Sequence, residues 1–227
     1  MNLLKQGYSC AVLVTDQRRF GLVRMMGNMR TSTIAAPSTG RSTAPSSPRQ
    51  LRPYSCVESW FARAQAWWWL HAGRAVVLDT ETTGLHGQVC ELSMIDAATG
   101  AVLFDSLIRP TCPIEPEAIA VHGIAERDLA DAPTLAQAWP AITWALGDGL
   151  ITAYNAPFDR ETLQRSTAAA GLPIGPQFHA RRWRCIMRAR GRAERRRWQR
   201  LDADHRALGD AHAARRVLLE LAGVRAR

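Results

Sequence analysis

The sequence predicts an α/β fold, a mixed five-stranded sheet with flanking helices, and two observations carry that expectation. Three short apolar or alternating runs follow one another between residues 75 and 110. Two more short strand candidates, near residues 150 and 185, then alternate with segments of helical composition. Consecutive strands followed by a helix–strand alternation describe a mixed sheet with helices packed on it. No internal repeat is present.

The elements follow in chain order. From Thr31 to Pro53 the chain is rich in Ser, Thr and Pro and nearly free of large apolar side chains. Such a stretch cannot offset the entropy of ordering, so residues 1–54 are expected to be a disordered or weakly ordered extension. Ser55 to His71 has helical composition, with Ser55 or Ser59 available as N-cap. Trp60, Ala64, Trp67 and Trp68 fall near one stripe of that helix, which is expected to be the packed face of an amphipathic helix over residues 55–72. Stacking on bases is the alternative use of its aromatics.

The catalytic-size remainder is residues 73–223. AVVLDTE (75–81), CELSMID (90–96) and, after the turn at Thr99-Gly100, AVLFDSLIRP (101–110) predict an antiparallel meander. Pro116 to Leu129 and Thr134 to Leu146 predict helices, the second with Pro133 just before its cap at Thr134. Gly149 to Tyr154 predicts a fourth strand, Pro157 to Ala170 a helix stopped by Gly171 and Pro173, and Arg182 to Arg188 a fifth strand. Leu208 to Leu221 closes the series as a helix.

The charge is uneven. Residues 181–200 hold ten Arg against the single Glu194, a local +9, while the whole chain of 227 residues also carries +9. The remainder therefore sums to about zero. A basic segment on a neutral body suits a polyanionic partner, because neutralised phosphates release counterions. The segment is expected to track a nucleic-acid backbone without reading its sequence. Cys10, Cys56, Cys90, Cys112 and Cys185 show no CxxC pair and no His at zinc-ligand spacing, so they read as reduced thiols. No run approaches the length of a membrane span and no signal peptide opens the chain, so a cytoplasmic location is expected.

Asp79 and Glu81 stand at i and i+2 at the end of the first strand, so the alternation of a strand points both carboxylates to one side. Hard oxygen ligands on one side invite Mg²⁺ or Mn²⁺. Asp159, in the first turn of the helix that opens at Pro157, is expected near the sheet edge where Asp79 emerges. His205 and Asp210 are five residues apart, too far round a helix to share a face. His205 is therefore expected in the loop before the last helix, with Asp210 facing inward.

Together these segments resemble the DEDDh branch of the 3′-5′ exonuclease family. The first motif is Asp79-Thr80-Glu81-Thr82-Thr83-Gly84, the second Asn155-Ala156-Pro157-Phe158-Asp159, and the third runs from His205 to Asp210. Val121-His122-Gly123-Ile124 followed by Ala132-Pro133-Thr134 is similar to the family too, with His122 read as a helix-end or core histidine. The resemblance implies a ribonuclease H-like fold and hydrolysis of terminal phosphodiesters, releasing nucleoside 5′-monophosphates. It implies two divalent cations, one held by Asp79, Glu81 and Asp210 and the second by Asp79 with Asp159. His205 is implied as general base, and the backbone around Thr82 and Thr83 with the side chains of Asn155 and Phe158 as the pocket for the terminal nucleotide. The implied partner is a nucleic acid with a single-stranded 3′ end, and a DNA polymerase subunit for a proofreading member. Only Gly223 to Arg227 follow the last helix, so no tail for polymerase docking is expected. Family members place a short helix, opening on a Leu-Asp-Ala-like stretch, between the fifth strand and the third motif. Here Leu201-Asp202-Ala203 runs directly into Asp204-His205, as if that helix were deleted, and a loosely held His205 is the expectation.

Overall fold

A strand buried on both faces has to alternate which core each side chain enters, and the first strand does so. In the computed structural model, which describes residues 55–71, 73, 75–196 and 199–224, β1 (Val76–Thr82) is buried along its whole length. Val77 enters one core and Val76 and Leu78 the other. β2 (Val89–Asp96) and β3 (Val102–Leu107) pair antiparallel beside it, whereas β4 (Ile151–Ala153) and β5 (Trp183–Cys185) add parallel on its other edge. The order β3-β2-β1-β4-β5 is the predicted mixed sheet, meander included. The expected extension, residues 1–54, lies outside the described residues, as does Arg197 of the arginine segment.

Helices cover both faces. α1 (Cys56–His71) is capped reciprocally: Ser55 Oγ accepts from Glu58 N–H (3.2 Å) and the Glu58 carboxylate accepts from Ser55 N–H (2.7 Å). α2 (Pro116–His122) stops at Gly123, whose φ of 73° is left-handed, so the predicted helix to Leu129 is broken there and resumes as a 3₁₀ turn over Glu126–Leu129. α3 (Leu135–Leu146) is capped by Thr134 with Gln137, as the sequence indicates. α4 (Ala156–Ala169), α5 (Ile186–Ala193) and α6 (Ala207–Ala222) complete the set. α3 and α4 pack on the Val76 and Leu78 face, and α1, α5 and α6 on the Val77 face.

Two corrections concern that second layer. The predicted fifth strand ends at Cys185, and Ile186 begins α5, whose buried Ile186, Met187, Ala189 and Ala193 were hidden in an arginine-rich run. The tryptophan stripe of α1 is not its packed face: Trp60, Trp67 and Trp68 are at least half exposed, while Ala62, Ala66, Trp69 and Leu70 are buried. The reason is close approach. Ala62 and Ala66 meet Ala189, Ala193, Ala211 and Ala214 of α5 and α6 in one cluster, and Ser59 Oγ donates to Ala193 O (2.6 Å). A face of indoles could not come that near. α1 thus shares its core with the rest of the fold. No helix among the described residues is long and apolar enough to cross a membrane, and the four described cysteines form no disulfide.

Candidate active site

Side-chain parity along β1 decides which acids can meet. Asp79 and Glu81 share the face of Val77, towards α6, while Thr80 shares the face of Leu78, towards α4. Asp210 stands in the first turn of α6, whose buried Ala207, Ala211 and Ala214 let the helix lie against β1 and β2. One carboxylate oxygen each from Asp79, Glu81 and Asp210 then lies within 4.8 Å of the others, and all three residues are buried. Ionised carboxylates at that separation repel by roughly 3 kcal/mol per pair at an effective dielectric constant of ~20. An all-oxygen donor set needing positive charge fits a hard divalent cation.

Asp159 arrives from the opposite layer. It stands in the first turn of α4, accepts from Thr80 Oγ1 (3.0 Å) and lies outside the three-carboxylate group. Asn155, at the N-cap of that helix, is buried, and its Nδ2 has no hydrogen-bond partner among the described residues. Phe158 is buried as well, so its ring offers little face to solvent.

The turn after β1 is stiff. Thr83 N–H donates to Gln88 O (2.8 Å), Thr83 O accepts from Glu115 N–H (2.7 Å), and Thr83 Oγ1 accepts from Gln88 N–H (3.0 Å). Thr83 N–H is therefore committed to the turn rather than offered to a nucleotide. Thr82 Oγ1 donates to Gly84 O (2.9 Å). Gly87 closes the turn because a Cβ there would strike Thr83 Oγ1 and the backbone of Gly84.

His122 holds this turn from below. Ile124 N–H donates to its Nδ1 (3.0 Å), so the proton of the neutral ring sits on Nε2, which donates to Thr82 O (3.1 Å). It is a buried helix-end histidine with a positioning task. His122→Ala removes that donor from a buried carbonyl and is expected to cost about 1–3 kcal/mol in urea unfolding. It should also raise KM for an oligonucleotide; an unchanged KM would mean that the turn does not meet substrate.

His205 lies in the loop before α6, with a left-handed φ of 63° and its N–H donating to Asp210 Oδ1 (3.2 Å). Arg200 Nη2 stands 3.4 Å from His205 Nε2. A guanidinium only donates, so this nitrogen is the accepting one. The connector contains no helix between Arg195 and Arg206 among the described residues, as the shortened sequence suggests, but it is anchored. Tyr154 Oη donates to Gln199 O (2.8 Å), Arg190 donates to Tyr154 Oη (3.3 Å), Glu194 bonds both Arg190 and Gln199, and Leu201 is buried. Tyr154→Phe is expected to lower stability by about 1 kcal/mol and to slow turnover through a looser His205. Steady-state kinetics beside urea unfolding would check both.

Glu91 is the residue that sequence reasoning missed most plainly. It sits directly opposite Glu81 across β1 and β2, buried, a like-charge juxtaposition that needs compensation. Arg206 supplies it: its Nε reaches both Glu91 oxygens at 3.1 Å, its Nη2 one of them, and Ala207 N–H adds a bond of 2.9 Å. The fork docks the start of α6, and with it His205 and Asp210, onto the sheet. Thr80 was missed for a different reason, since a threonine in a strand reads as filler. Its signal was parity, which aims it at the helix carrying Asp159.

Known proteins resemble this chain in sequence and in fold. The chain is 34% identical over 106 residues to the uncharacterized exonuclease CP81 of Escherichia phage 186, covering 46% of this chain and 54% of that protein. It is 37% identical over 89 residues to exodeoxyribonuclease 10 of Escherichia coli K12, covering 38% of this chain and 39% of that protein. It thus spans about half the length of the first and about two fifths of the second. The solved nuclease domain of 3′hExo, a DEDDh family member bound to rAMP, superposes with a TM-score of 0.51 at 17% identity, over 65% of this chain and 90% of that one. The ribonuclease H-like fold is common to the two. A family model described as Exonuclease (RNase_T) matches residues 76–218, from the first residue of β1 well into α6, and the chain belongs to that family.

Proposed function

We propose that the chain is a 3′-5′ exonuclease that hydrolyses the terminal phosphodiester of a single-stranded nucleic acid, DNA in preference to RNA, and releases nucleoside 5′-monophosphates. The observation that carries this reading is the convergence of Asp79, Glu81 and Asp210 from two elements into one buried group, with His205 tied to Asp210. A relative named as an exodeoxyribonuclease supports DNA.

Asp79, Glu81 and Asp210 would hold one divalent cation, Mg²⁺ or Mn²⁺, and Asp79 with Asp159 a second. When bound, such ions polarise the phosphodiester and stabilise charge on the attacking and leaving oxygens of an in-line displacement. The chain's own residues do the rest. His205 Nε2 takes the proton of the attacking water, and Arg200 has to give way for it to do so. The Asn155 amide, buried and without an acceptor among the described residues, donates to the terminal nucleotide. Thr80 holds the Asp159 carboxylate, and Arg206 holds the loop that carries the base.

Matched DNA and RNA strands of one sequence, mixed and followed by their 3′ labels, test the substrate class. Faster loss of the DNA label is expected. Faster loss of the RNA label would reassign the substrate, and loss of neither would remove the activity. A pull-down with a polymerase subunit tests the further partner implied for a proofreading member.

A further inference from the structure

Beside the active site, outside the family's matched span on one wall, lies a cleft of about 440 Å³ between α1, α4, β5 and α5. We propose that this cleft is a phosphate-backbone track for the nucleic-acid strand, continuing from the 3′-terminal site. The proposal rests on the reading that the substrate is a nucleic-acid strand.

Three helices each turn an i,i+4 pair towards it. α5 contributes Arg188 and Arg192, α4 contributes Ala156 and Arg160, and α1 contributes Gln65 and Trp69. Arg184 of β5 adds a fourth guanidinium, and Glu161 is the only acid on the lining among the described residues. Four arginines against Glu161 on the lining and Glu58 of α1, which interacts with Arg192, leave the groove net positive. Arg160 Nε is buried without a hydrogen-bond partner among the described residues. Arg188 and Arg192, both exposed, stand about 6 Å apart along the helix axis, a spacing comparable with that of successive phosphates.

Position argues for a strand over a lone ion. Ala156 and Arg160 are the chain neighbours of Asn155 and Asp159, so the groove opens where the terminal nucleotide would sit. Its far rim is α1, where Phe61 and Trp68 flank Gln65 on the solvent side and are 57% and 51% exposed. Exposed rings beside a basic groove are the arrangement that binds single strands, with phosphates on arginine and bases on aromatic faces. The remaining candidate chemistry is absent: burial pushes the Cys185 thiol up and its Sγ–H donates to Tyr154 O (3.3 Å), so the cleft holds no nucleophile.

Anisotropy of labelled single strands in chelator tests the track without turnover, comparing the full chain with its Arg188→Ala/Arg192→Ala and Phe61→Ala/Trp68→Ala variants. Strands of about 3 and about 20 nucleotides bracket ordinary single-strand site sizes of about 4 to 16. The arginine variant is expected to bind the long strand about tenfold more weakly at low salt, with a log–log salt slope smaller by about 1.4 for two lost contacts. The aromatic variant should weaken the long strand with its slope unchanged, and the short strand should bind all three alike. Equal affinity and slope for the long strand in all three would overturn the proposal. So would calorimetric binding of inorganic phosphate with the long strand's affinity, which marks a small-anion site. A changed sedimentation coefficient with unchanged strand affinity would overturn it too, as a contact between copies. Binding is read without hydrolysis, so a chain that binds through these arginines yet never hydrolyses would sink only the exonuclease reading.

Discussion

Asp79→Ala is expected to lower hydrolysis by at least roughly 10³-fold, since cation-mediated charge stabilisation is worth several kcal/mol and each 1.36 kcal/mol is tenfold. Asp79 is the acid that both proposed cation sites share. The geometry places it beside Glu81 by strand alternation and beside Asp210 by the close approach of α6. The same variant should lose calorimetric binding of Mn²⁺. A fold defect is separable from this loss. In chelator, removing one of three mutually repelling carboxylates leaves less like charge in the buried group, so the melting temperature should be no lower than that of the unaltered chain. Unchanged Mn²⁺ affinity in Asp79→Ala would remove the ligand assignment.

His205→Ala is expected to cost about 10²- to 10⁴-fold in kcat, the range for deleting a positioned general base. It should leave Mn²⁺ affinity in place, because the imidazole is outside the carboxylate group. The anchored connector argues for a substantial loss. His205 is fixed at its backbone by Asp210, on one side by Arg206 docked on Glu91, and on the other by Leu201 and the Tyr154–Gln199 bond. A mobile His205 would give a slow enzyme that loses less than about tenfold on substitution. Full activity in His205→Ala would take the base role away.

The meander, the mixed sheet and the placing of Asp79 and Glu81 on one face were legible because each rests on a short-range rule. Alternation places Asp79 with Glu81, and Pro157 opens the helix that carries Asp159. What was hidden depends on the partner surface. α5 was missed because Cys185 to Met187 is only three apolar residues set among arginines, too short to tell a strand from a helix start, so the buried Ile186, Met187 and Ala189 gave no readable period. The indole stripe of α1 was placed inward because apolarity alone ranks Trp above Ala. Packing chose the alanines, since only small side chains let α1 meet α5 and α6. Glu91 was invisible as a partner because Arg206 is 115 residues away in the chain.

The central claim, that these acids and His205 make a nuclease acting from the 3′ end, is tested most directly by one time course. A 5′-labelled single strand is incubated with the chain in Mg²⁺ or Mn²⁺, and the released products are identified by mass. The structure predicts a ladder shortening one nucleotide at a time from the 3′ end, nucleoside 5′-monophosphates as products, and silence in chelator. Internal fragments, nucleoside 3′-monophosphates or undiminished cleavage in chelator would contradict it.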